Sequence, residues 1–142
     1  MATIVVGGHS RSVGKTSVVA GATRALWVRT KQGHLEEAMP ALRQRLAGTA
    51  NIIIESNSVM NFLRPDIYLS VLDYATADFK ASAREFLDLA DALLINRSAG
   101  SPAWENISLK PAPDKPVFSF SPPQYVTPEL IAWLKHRLRL AA

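Results

Sequence analysis

Five short apolar runs, each ending in polar or turn-forming residues, constrain this chain more than any other feature. Thr3-Ile4-Val5-Val6 runs into Gly7-Gly8, and Asn51-Ile52-Ile53-Ile54 into Glu55-Ser56-Asn57. Residues 67–72 end at Asp73, residues 92–95 at Asn96-Arg97-Ser98, and residues 117–120 at Ser121-Pro122-Pro123. Apolar runs of this length without strict alternation suit strands buried on both faces, as in a parallel sheet. Helical patterns lie between most of them. Residues 78–90 place Phe79, Ala83, Phe86, Leu87 and Ala90 on one face. Residues 128–140 carry Thr127 as a cap and Pro128 at the first helical position, with Leu130, Ile131, Leu134 and Leu138 as the buried stripe. Residues 34–47 also read as a helix, which either begins near Pro40 or kinks there. Strands alternating with helices predict an α/β fold: a doubly wound, mostly parallel sheet with helices on both faces. Ligands bind such sheets at the carboxyl ends of the strands.

The rest of the composition narrows the function classes. The chain has 142 residues, 48% hydrophobic and 20% charged, which predicts one folded domain over residues 1–142. It has no cysteine, so disulfides and thiolate metal sites are excluded. No stretch reads as a signal peptide, and no apolar run approaches the roughly 20 residues of a membrane span. The expectation is therefore a cytoplasmic protein without a membrane partner. The net charge of +4 is scattered. Its densest cluster, Lys135, His136, Arg137 and Arg139, falls in the last turns of the terminal helix, where cations complement the helix dipole. Nucleic acid is not an expected partner. His9, His34 and His136 have no metal-ligand spacing, and Ser10, Ser12 and Ser17 have no His-Asp partnership.

The first run leads into Gly7-Gly8-His9-Ser10-Arg11-Ser12-Val13-Gly14-Lys15-Thr16-Ser17. Small residues let successive backbone N–H groups turn inward around an anion, and a following helix adds its dipole. A lysine then reaches the β- and γ-phosphates, and a hydroxyl ligates magnesium. Each part is present in order, but Gly8 lies one residue too early for the usual Gly-x4-Gly-Lys-Thr spacing. His9 occupies the expected glycine position, where a loop-filling side chain is the preferred reading.

A Gly-x5-Gly-Lys-Thr loop resembles that of dethiobiotin synthetase and the cobyrinate amidation synthetases. Their loop reads Gly-Thr-x-x-x-Val-Gly-Lys-Thr, matched here at Gly8, Val13, Gly14, Lys15 and Thr16. The wider class includes the molybdopterin-guanine dinucleotide accessory protein and the nickel-insertion GTPases. The resemblance implies a P-loop nucleoside triphosphate hydrolase fold that binds ATP and Mg2+. Residues 8–17 would surround the nucleotide, with Lys15 as the catalytic cation and Thr16 on the metal. Ile52-Ile53-Ile54-Glu55 resembles the class's third-strand segment Val-Val-Glu-Gly, which would make Glu55 a second magnesium ligand. Ala92 to Ser98 resembles the base-reading strand, with Asn96 contacting the purine. Ala99 stands where GTPases carry the aspartate that reads guanine, so ATP is expected over GTP.

The segment between the first helix and the strand at residue 51 is shorter than in those relatives. Residues 25–30 either form an additional strand or belong to one long helix. Relatives carry switch carboxylates or a substrate lysine in this region, so carboxylation chemistry does not carry over. Three readings remain open. The first is an ATPase or ATP-dependent ligase-like enzyme. The second is a nucleotide-dependent accessory protein for metal or cofactor insertion. The third is a nucleotide-binding module without turnover, with a homodimer interface as its purpose.

Overall fold

The computed structural model describes residues 2–10, 29–31, 33–49, 51–109 and 115–141. Five strands form one sheet: β1 Ala2–Gly8, β2 Asn51–Glu55, β3 Ile67–Asp73, β4 Ala92–Asn96 and β5 Val117–Phe120. Every pairing is parallel and the order is β2-β1-β3-β4-β5. All five apolar runs are therefore strands. The chain leaves β1 for one flank, then returns past it to build the other, so β1 and β3 bound the point where the winding reverses. Both edges of β1 are taken, by β2 and β3. Residues 25–28 lie outside the described residues, and Arg29 and Thr30 are not in a strand.

Among the described residues, three α-helices flank the sheet: α1 Leu35–Leu46, α2 Ala81–Phe86 and α3 Pro128–Ala141. One face of the sheet packs Val5, Tyr68, Leu72 and Leu93 against Met39 of α1 and Phe86 of α2. The other packs Val6, Leu69, Val71 and Leu94 against Leu130, Trp133, Leu134 and Leu138 of α3. Helices on both faces match the expected doubly wound architecture.

Four local differences from the sequence expectation have physical causes. α1 runs through Pro40 rather than beginning there, at the cost of the bond residue 40 would make to the Glu36 carbonyl. The pattern over 78–90 forms helix only over α2, followed by a 3-10 turn at Leu87–Leu89. Its first residues are instead spent on bonds to the 8–10 segment, described below. In α3, Thr127 Oγ1 caps by accepting from the Leu130 N–H at 3.3 Å. Ile131, however, is 40% exposed, and Trp133 takes its place by packing on Phe118 with ring centroids 5.8 Å apart. Finally, β3 and β4 are buried on both faces as expected, but β2 and β5 are edge strands. Ile53 is accordingly 47% exposed.

Candidate functional site at the carboxyl edge of the sheet

β1 delivers Gly8, His9 and Ser10 to the carboxyl edge, where the winding reverses. Side-chain and backbone groups from elsewhere in the chain fix these residues. Asn57, just beyond β2, grips Gly8 on both sides. Its Oδ1 accepts from the Gly8 N–H at 3.0 Å, and its Nδ2 donates to the Gly8 carbonyl at 2.8 Å. The side-chain amide thus continues the strand pairing after the backbone of β2 has turned away, past the bond from Ser56 N–H to the Val6 carbonyl. Gly7 must be glycine for this to fit. A Cβ there would overlap Asn57 Oδ1 and lie 2.7 Å from the Tyr68 hydroxyl. That hydroxyl is buried, which pushes its pKa up to about 12.

His9 is fully buried. Its Nε2 accepts from the Asp73 N–H at 3.0 Å, at the end of β3. With Nε2 an acceptor, Nδ1 carries the proton and donates to the Asp78 carbonyl, 2.6 Å away. The two backbone partners therefore define one neutral tautomer. Burial lowers the imidazole pKa below 6.5, opposed by those backbone bonds and by the Asp73 and Asp78 carboxylates. Phe79 and Trp104 each lie 4.9 Å from the imidazole, centroid to centroid, and Tyr74 closes on Trp104 at 5.4 Å. The His9 carbonyl accepts from Lys80 N–H at 2.8 Å. Ser10 Oγ donates to Asp78 Oδ2 at 2.7 Å. These bonds hold residues 78–80 out of the helix predicted for them.

His9 was expected among the nucleotide-binding residues. Its ring faces inward with both nitrogens engaged by backbone, which leaves the imidazole no donor for a phosphate. The residue in excess of the usual loop spacing is thus an anchor. Arg11, Ser12, Val13, Gly14, Lys15, Thr16 and Ser17 lie outside the described residues.

Glu55 ends β2 in register with Val6 of β1, and its side chain is exposed. Asn96 ends β4 in register with Asp73. Its Oδ1 accepts from both Ser98 N–H at 3.1 Å and Ser98 Oγ at 2.6 Å. Both lone pairs of that oxygen are used in a turn, so Asn96 has its Nδ2 to offer a ligand. Asp73 makes a similar turn, with Oδ1 accepting from the Ala75 N–H at 2.9 Å. The edge therefore brings Glu55, Gly8 to Ser10, Asp73 and Asn96 together in strand order. Among the described residues no cluster of three His, Cys, Asp or Glu side chains forms a metal cage, and no helix is long and apolar enough to cross a membrane.

Sequence reasoning missed Asn57 and Trp104. Asn57 had a signal, since a polar amide directly after an edge strand can replace a backbone partner. Trp104 had none, lying in a proline-rich loop whose contacts are all distant. No family model matches the chain, and neither a curated protein nor a solved structure matches it.

Proposed function

We propose that this chain binds Mg-nucleotide at the 8–17 loop, in the manner of a synthetase-like P-loop protein, with ATP the preferred nucleotide. One observation carries the reading. The loop leaves β1 at the winding reversal of a parallel sheet, where open α/β sheets bind ligands, and its first residues are held by a dedicated set of bonds. The loop amides and Lys15 would hold the phosphates. A hard divalent ion requires oxygen donors, and the Thr16 hydroxyl, the Glu55 carboxylate and phosphate oxygens supply them. Such an ion neutralises developing charge during phosphoryl transfer, which depends on positioning and electrostatics. The preference for ATP rests on Ala99 alone. With its Oδ1 occupied, Asn96 can only donate to a purine, and N7 accepts in adenine and guanine alike.

Calorimetric titration of ATP and GTP, with magnesium, into wild type and Lys15→Ala tests the proposal. Charge-assisted contacts contribute about 1.5–3 kcal/mol each, so the variant should lose affinity by about tenfold or more. Equal affinity in the two proteins would remove the loop assignment. A clear advantage for GTP in wild type would remove the ATP preference.

A further inference from the structure

A second feature lies on the β2 side of the loop. Between residues 29–31, Gly33 and Leu35 on one side and the 3-10 turn Ser58–Asn61 on the other is a half-open cleft of about 580 Å³. That size suits a small organic molecule. Two cations, Arg29 and Lys31, line it, and among the described residues no carboxylate does. The described salt bridges join His34 to Glu37 and Arg137 to Asp91, so neither cleft cation is paired among the described residues. Glu36 and Glu37, in the first turn of α1, are not in the lining. The cleft therefore carries uncompensated positive charge, which concentrates anions.

Its walls are fixed independently. On one side, His34 N–H donates to the Lys31 carbonyl at 3.0 Å, closing a turn through Gly33. Gly33 has φ of 81°, which a side chain would strain. On the other side, Ser56 Oγ accepts from Val59 N–H at 3.1 Å, leaving its own O–H to donate into the cleft. Thr30 and Ser58 add two more hydroxyls, and Leu35 and Phe62 supply apolar surface.

We infer that this cleft binds a small organic anion, a carboxylate or phosphate ester with an apolar body. Arg29 and Lys31 hold the charged group, and the three hydroxyls take up its remaining oxygens. Leu35 and Phe62 cover the apolar part. None of these residues belongs to the 8–17 loop or to the magnesium ligands assigned above, so the inference does not rest on nucleotide binding. It does place the bound anion next to them in the chain, since Ser56 follows Glu55 directly and Asn57 grips Gly8.

Backbone-amide NMR titration with 3-phenylpropionate, phenyl phosphate and uncharged 3-phenylpropionamide tests it. The two anions should produce saturable shifts at Gly33, Ser56, Ser58 and Asn61, and the amide should not. The tighter of the two anions identifies the headgroup. Arg29→Gln combined with Lys31→Gln should weaken anion binding by about tenfold or more. Both side chains are exposed, and an unchanged amide spectrum elsewhere verifies the fold of the variant. Absence of saturable binding, equal binding of the uncharged probe, shifts confined to another surface, or full affinity in the double variant would each overturn the inference. Lys15→Ala should bind the anions normally. Failure of ATP binding with retained anion binding would count against the nucleotide reading alone.

Discussion

Asn57 holds Gly8 through two hydrogen bonds, one to its N–H and one from its side chain to the carbonyl. Both residues are buried. Asn57→Ala would leave a buried N–H and a buried C=O without partners, each costing about 1–3 kcal/mol. The expected loss is about 2 kcal/mol or more in urea unfolding. Asn57→Asp keeps an acceptor for the N–H but loses the donor, so it should fall between wild type and Asn57→Ala or below both if its charge is buried. An Asn57→Ala variant as stable as wild type would show that water replaces the side chain.

Gly7→Ala should destabilise for a steric reason, since the added methyl meets Asn57 Oδ1 and the Tyr68 hydroxyl. Overpacking of this kind costs about 1–3 kcal/mol. Removing the hydroxyl with Tyr68→Phe relieves one of the two contacts. The double variant should therefore lose less than the sum of the single losses. Strict additivity in a double-mutant cycle would mean that the hydroxyl is not the obstacle.

Stability should depend on pH through His9. Its folded pKa lies below the ordinary 6.5, so the unfolded chain takes up the proton first as pH falls. This contribution is complete above about pH 6.5, drains as pH falls towards the folded pKa, and levels off below it. Each unit of depression corresponds to about 1.4 kcal/mol. His9→Gln removes the titration. Urea unfolding at about pH 7.5 and about pH 5.5 should show a larger loss in wild type than in the variant. The same loss in both would assign the pH dependence to other groups.

Glu55→Gln should weaken the metal's contribution to nucleotide binding. The amide keeps the size of the side chain but removes the charge that a hard divalent ion prefers. Melting curves with ATP, with and without magnesium, report this because a ligand stabilises the folded state according to its affinity. Magnesium should add a smaller shift to the variant than to wild type. An identical shift in both proteins would exclude Glu55 as a metal ligand.

The sequence by itself determined the strands and the helix start at Thr127, because each is written in neighbouring residues. Local pattern also sufficed to put the glycine- and serine-rich loop directly after a strand. Three outcomes were decided by tertiary structure. The isoleucines of β2 read as fully buried, yet Ile53 is half exposed because the strand order leaves β2 at an edge. The helix over 78–90 shortens because Asp78 and Lys80 bond to His9 and Ser10 instead. The role of His9 follows from partners at positions 73 and 78, and that of Asn57 from Gly8, 49 residues away. Periodicity and propensity act over a few residues. These hydrogen bonds exist only once the sheet has brought the strand ends to one edge, which is why the strand before the loop was legible in the sequence and the anchoring of residues 8–10 was not.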